Sequence, residues 1–177
     1  MSITAQQITK VALFTAIITI CGPLTIPIGV VPLSLCSLAV MITACSVGFI
    51  GSSVATATYL LLGGIGLPVF SGFSGGFGVL VGPTGGYLLG YLIMAIITSI
   101  ISRKKRLLFY AVACAMGTLA LYSCGTAWFV AQTGTDFLSA LALTVLPFLP
   151  FDLVKIIIAT VVGDRLNKII KKENKNG

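Results

Sequence analysis

No Asp, Glu, Lys or Arg occurs anywhere between Val11 and Ser102, more than half of a 177-residue chain. A second uncharged run covers Leu107 to Thr135. Soluble domains carry about 25% charged residues, whereas this chain carries 8%, with 57% hydrophobic residues. Such a sequence cannot cover a water-exposed surface, so it reads as an integral membrane protein. Length allows one domain, residues 1–177. The expected class is all-α, with six transmembrane helices.

The net charge of +7 does not point to nucleic acid. The basic residues outside the apolar runs are Lys10, the run Arg103 to Arg106, and Arg165, Lys168, Lys171, Lys172 and Lys175 near the end of the chain. They flank apolar segments, which is the pattern of cytoplasmic anchoring charges. Six spans then place both termini in the cytoplasm, and the loops without basic residues face outward. The first apolar segment follows a single lysine and has no A-x-A cleavage pattern, so it reads as a retained helix rather than a signal peptide. The five cysteines are odd in number, lie in apolar segments and show no metal-ligand spacing, so they read as small packing residues. Histidine is absent. No phosphate loop, nucleophile elbow or HExxH motif occurs. Nothing supports catalysis, a metal site or ATP hydrolysis within the chain itself.

In chain order, the first helix is expected from about Ile8 to Cys21. It contains Ala12 and Ala16, a small-xxx-small strip on which another helix can pack closely. Pro23, Pro27 and Pro32 make an extended connection. Ser34 is positioned to cap a second helix running to about Phe49. A tight turn at Gly48 to Ser53 leads to a third helix ending near Leu62. A fourth is expected from Thr84, as its cap, to Ser102. A fifth spans about Leu107 to Val130. Gln132 to Ser139 reads as a loop, and the last apolar segment, broken at Pro147 to Pro150, continues as a sixth helix to about Ile170.

Between the third and fourth helices lies GGIGLPVFSGFSGGFGVLVGPTGGYLLG, Gly63 to Gly90, with eleven of the chain's twenty glycines and no charge. Helix interiors do not tolerate this density of glycine and proline. Irregular backbone at membrane depth persists only where protein buries it or a cavity needs it. The stretch therefore reads as an ordered outer loop, with Phe70, Phe73, Phe77 and Tyr87 as aromatic walls. Tyr122 and Trp128 of the fifth helix are further candidates for an apolar wall, Trp128 being equally well placed for an interfacial belt. Thr84 opens a helix whose N–H groups can meet a ligand. Asp152 and Lys155 are ionisable residues within the last apolar segment, spaced i, i+3 on one helix face. Ionisable residues at such depth are binding-site candidates. A carboxylate accepts from N–H donors, and an ammonium meets a carbonyl or carboxylate.

These residues resemble a known family. GGIGLPVF at Gly63–Phe70, followed by GPTGGY at Gly82–Tyr87, resembles the signature of BioY, the biotin-binding S component of energy-coupling factor (ECF) vitamin transporters. VPLSL at Val31–Leu35 is similar to its Val-Pro-x-Ser/Thr-Leu segment. PFDLVK at Pro150–Lys155 is similar to its Pro-x-Asp-x-x-Lys motif. Ala12 and Ala16 match the Ala-x-x-x-Ala strip by which S components dock on the coupling subunit. The resemblance implies a single membrane-embedded S-component domain in the plasma membrane that captures biotin from outside. It implies no cofactor, and as partners a transmembrane coupling subunit and two ATPase subunits, with transport by toppling in the lipid bilayer. It implies a ligand site drawn from Asp152, Lys155, Tyr87, Gly82, Thr84, Gly85, Phe70, Phe77, Ser34, Cys36 and Trp128. At Cys36 the family commonly carries glutamine. A thiol does not reproduce the pairing of an amide with a ureido group, so another vitamin as ligand stays open, as does a stand-alone secondary transporter of a small solute.

Overall fold

The computed structural model describes residues 5–27, 31–104 and 106–176, with side chains described through residue 170. The described residues are mostly helical. The helices are α1 (Ala5–Cys21), α2 (Cys36–Gly64), α3 (Phe77–Val81), α4 (Gly85–Ile101), α5 (Leu107–Thr133), α6 (Phe137–Thr144) and α7 (Leu149–Asn176). Strands β1 (Thr25–Ile26) and β2 (Leu33–Ser34) form a two-residue antiparallel ribbon, with Thr25 opposite Ser34. Among the described residues, four stretches are long and apolar enough to cross a bilayer: Cys36–Gly64, Gly85–Lys104, Leu107–Thr133 and Phe137–Ile170. Helix α1 is apolar but shorter. Many of the hydroxyls on these helices bond to their own backbone one turn back, as from Thr43 to Ala39 O (2.7 Å), Ser46 to Ile42 O (2.7 Å) and Thr118 to Cys114 O (2.9 Å).

The expected second and third helices form α2, whose only break is Gly48 at φ 74°, ψ −173°. Glycine alone takes this conformation without strain. Ser52 Oγ donates to the carbonyls of Gly48 (2.8 Å) and Phe49 (3.2 Å) at the break. The arms 36–47 and 49–64 fold back on each other. A straight helix from Cys36 to Tyr59 would span about 35 Å, yet Tyr59 lies beside Cys36, and its hydroxyl would stand 2.8 Å from a Cβ placed on Gly22.

Other boundaries move by about a turn. Helix α5 extends to Thr133, where Gly134, at φ 67°, ends it. Phe137 to Ser139, expected in a loop, begin α6, because Asp136 caps it by accepting from the N–H groups of Leu138 (3.1 Å) and Ser139 (3.5 Å). Pro150 is the second residue of α7, where its missing N–H costs nothing.

The glycine-rich stretch divides. Gly63 and Gly64 close α2, and Gly85, Gly86 and Gly90 belong to α4. These are packing residues rather than loop residues. A Cβ on Gly63 would meet the Phe70 ring at 2.1 Å, and one on Gly86 would meet Trp128 Cβ at 2.1 Å. Between them, residues 65–84 contain a 3-10 turn at Ser71–Phe73 and the short α3. Gly76 N donates to Gly63 O (2.7 Å), Gly72 N to Pro23 O (3.3 Å) and Phe70 N to Ser74 O (2.9 Å), which ties this segment to the end of α2 and to the α1–α2 connection.

Helices α4 and α5 pack on each other, and α2 packs on α1, α4 and α7. Cys45 of α2 brings three helices together. Its Sγ lies 3.8 Å from Cys114 Sγ of α5, its carbonyl accepts from Asn167 Nδ2 of α7 (3.1 Å), and Gly163 of α7 packs against its Cβ. All five cysteines are free thiols.

Candidate functional site

Two adjoining cavities lie at one end of the bundle, sharing Val31, Pro32, Tyr87 and Tyr91 as walls. The larger, about 140 Å³, is completed by Phe70, Ser71, Ser74, Val79, Thr84 and Leu88. The smaller, about 50 Å³, is completed by Leu33, Ser34, Ser37, Leu121, Tyr122, Thr144, Phe148, Asp152 and Lys155. Eight parts of the chain converge here: the proline-rich connection, the start of α2, the glycine-rich segment, α4, α5, the end of α6, the 3-10 turn at Leu146–Phe148 and the first turns of α7.

Asp152 and Lys155 sit on one face of α7, 6% and 7% exposed. Lys155 Nζ is 3.0 Å from Asp152 Oδ1 and donates to Ser34 O (2.8 Å) and Ser37 Oγ (3.0 Å). An ammonium has three N–H donors; Ser34 O and Ser37 Oγ take two of them, and Asp152 Oδ1 stands within ion-pair distance without an aligned hydrogen bond. Asp152 Oδ2 accepts the hydroxyl of Tyr122 on α5. A buried charge pair is tolerated when its remaining hydrogen-bonding capacity is filled, and here Ser34, Ser37 and Tyr122 fill most of it.

Ser34 connects the pair to the rest of the fold. Its Oγ accepts from Cys36 N (3.0 Å) and donates to Gly22 O (3.2 Å), while Tyr91 faces it from α4. It caps α2 from one residue before the formal cap position, Leu35. On the opposite wall, Tyr87 OH is 3.2 Å from Thr126 Oγ1, which is 3.4 Å from Thr144 Oγ1. That chain joins α4, α5 and α6 behind the cavity.

The candidates named from sequence separate into three groups. Asp152, Lys155, Tyr87 and Ser34 line the smaller cavity; Phe70, Thr84 and Tyr87 line the larger. Thr84 holds the N-cap position of α4 through its backbone carbonyl, which accepts from Tyr87 N (3.1 Å), and its hydroxyl makes no cap bond. Gly82, Gly85 and Trp128 stand behind the walls. Trp128 Nε1 donates to Gly82 O (2.9 Å), and Gly85 packs against Leu80 O. Cys36 is buried beside Tyr59 and lines neither cavity. Phe77 is 71% exposed and Phe73 68% exposed, so neither walls a cavity. Phe70 turns inward instead, edge-on to Tyr59 at 5.6 Å. Ala12 and Ala16 lie on the exposed face of α1, opposite the buried Phe14, Thr15 and Ile18.

Sequence reasoning did not reach Ser37, Tyr91, Thr144 or Phe148. One of these carried a signal: Tyr91 follows Tyr87 by one helical turn on α4, a spacing that puts both side chains on one face. No group of three or more metal-ligating side chains occurs among the described residues.

A model of the BioY family matches residues 1–172. The biotin transporter BioY of Thermotoga maritima is 37% identical over 166 residues, covering 93% of this chain and 97% of that protein. The biotin transporter BioY2 of Lactococcus lactis subsp. cremoris is 38% identical over 171 residues, covering 96% and 94%. Among solved structures, the S component for biotin from an ECF-type ABC transporter aligns with a TM-score of 0.87 at 28% identity, covering 94% of this chain and 95% of that one.

Proposed function

The chain belongs to the BioY family, and from that premise we propose that it is the biotin-capturing S component of an ECF-type vitamin uptake transporter. It is a transport subunit and not an enzyme. Biotin is its cargo. The observation that carries the reading is the buried Asp152–Lys155 pair opening onto a cavity with tyrosine walls. A cyclic urea presents N–H donors and a carbonyl acceptor, and a valerate tail ends in a carboxylate. The carboxylate of Asp152 accepts from the first, and the ammonium of Lys155 serves either of the others with its third N–H donor or by exchanging one of its two protein acceptors. Phe70, Val79, Leu88 and Tyr91 of the larger cavity suit the apolar remainder of the ligand, with Ser71, Ser74 and Thr84 as hydroxyl partners.

Six membrane-crossing segments are α1, the two arms of α2, α4, α5 and α7. The back-folding of α2 at Gly48 supports that count. The basic residues at the starts of α1 and α5 and at the ends of α4 and α7 lie at the end remote from Asp152, so the termini are cytoplasmic and the cavities open outward in the plasma membrane. Two ATPases and a coupling subunit supply the energy, and α1 docks through the exposed Ala12–Ala16 strip.

Cells unable to make or import biotin provide the test. Labelled biotin should accumulate when the chain is coproduced with a coupling subunit and two intact ATPases, and should fall when the ATPases are inactivated. Accumulation driven by an ion gradient without them would favour a stand-alone secondary transporter.

A further inference from the structure

The two carboxylate oxygens of Asp152 have different surroundings. Oδ2 accepts from the Tyr122 hydroxyl. Oδ1 faces Lys155 Nζ at 3.0 Å but is buried without an aligned hydrogen-bond donor among the described residues. Asp152 and Tyr122 line the same cavity from α7 and α5. The terminal torsion of an aspartate is soft, so the ammonium alone would leave either oxygen free to turn toward it. A second anchor on Oδ2 removes that freedom. A buried acceptor left unfilled costs free energy, and that cost is recovered when a ligand donor arrives.

We infer that Tyr122 is a positioning residue: by holding Oδ2 it presents Oδ1 as the acceptor for an N–H donor of the ligand. The inference rests on the biotin reading and deepens it, because it assigns the Asp152 oxygen that meets the ring N–H and the side chain that presents it. A ring nitrogen bearing hydrogen satisfies Oδ1, and a bare carbonyl does not.

The test is a double-mutant cycle in biotin affinity, with Tyr122→Phe, Asp152→Asn and the double variant purified as full-length protein. Tyr122→Phe keeps the ring and should weaken biotin about tenfold, the size of one hydrogen bond to a charged group. In the Asp152→Asn background the same change should cost less than about twofold, because the two act as a unit. Equal losses in both backgrounds, or no loss in either, would overturn the inference. Infrared spectroscopy of protein with 13C-labelled aspartate carboxylates decides independently of affinity, and settles the matter where Asp152→Asn binds too weakly to close the cycle. The Asp152 band, identified by its loss in Asp152→Asn, should shift in ligand-free Tyr122→Phe. It should also shift when 3-fluorotyrosine replaces tyrosine in the otherwise wild-type chain, which serves if Tyr122→Phe does not fold. A band indifferent to both contradicts the inference. Wild-type protein that fails to bind biotin counts against the ligand reading. Wild-type protein that binds, with Tyr122→Phe unaffected, counts against Tyr122 alone.

Discussion

The seam between α4 and α5 and the seam between α7 and its neighbours are built on opposite plans. Along the first, glycines admit large side chains. Gly86 receives Trp128, Gly90 receives Leu121, Gly117 receives Thr98 and Met94, and Gly125 receives the Tyr87 ring. A Cβ added at any of the four would stand 2.1 to 2.8 Å from its nearest neighbour. Close approach of this kind drives association where lipid is as apolar as the side chains. Along the second seam, Lys155 and Asp152 of α7 meet Ser34 of β2, Ser37 of α2 and Tyr122 of α5 near one end and leave room for a cavity between them. The close-packed seam supplies a fixed wall, on which Tyr87 and Tyr91 are held. The polar seam supplies the groups that a ligand can engage, and its bonds are the ones a ligand can exchange.

That contrast can be broken most severely at the polar seam. Lys155→Ala leaves the Asp152 carboxylate buried without its counter-charge, a change that costs about 3–5 kcal/mol. It should lower the thermal midpoint in detergent strongly, and biotin should not restore it. Lys155→Met with Asp152→Leu, which removes both charges, should restore most of the stability and none of the biotin affinity.

The close-packed seam should respond through packing alone. Gly125→Val or Gly86→Leu overpacks a full site and should cost about 1–3 kcal/mol, read as a lower melting temperature. The affinity of whatever protein remains folded should fall less than in Asp152→Asn. A glycine variant that melts normally yet loses biotin would contradict the division of labour between the seams.

Smaller effects sharpen the boundary of the site. Asp136→Ala removes the cap of α6 and should cost about 1 kcal/mol of stability, with biotin affinity unchanged, since Asp136 lines neither cavity. Phe77→Ala, at a residue exposed on the short α3, should stay within about 0.5 kcal/mol of wild type and within about twofold in affinity, as expected of a side chain outside the walls.

The same contrast explains what could be read from the sequence. The polar seam was legible, because Asp152 and Lys155 are conspicuous in an apolar run and their i, i+3 spacing identifies a shared face. Ser34, Phe70, Thr84 and Tyr87 were legible through motifs, and they line the cavities. The close-packed seam was not. Glycine looks alike in a turn and in a helix contact, so the sequence places Gly85, Gly86 and Gly90 in the fourth helix through the Thr84 cap without showing that Trp128 and Leu121 pack against Gly86 and Gly90. Phe77 was expected to be a wall because aromatic residues in a glycine-rich segment look equivalent, and only the backbone distinguishes Phe70, turned in against Tyr59, from Phe77, turned out. Ser37 reaches Lys155 across 118 positions of sequence, a pairing that local patterns do not encode.

The most direct measurement is an equilibrium titration of biotin into the purified full-length protein, with Asp152→Asn beside it. Asparagine keeps the shape of aspartate and removes the charge that Lys155 and Tyr122 surround. The account predicts saturable one-to-one binding by the wild type, weakened about a hundredfold or more by the substitution, in line with loss of one member of a buried charge pair. A folded wild type that does not bind biotin, or an Asp152→Asn protein that binds as tightly as the wild type, would contradict it.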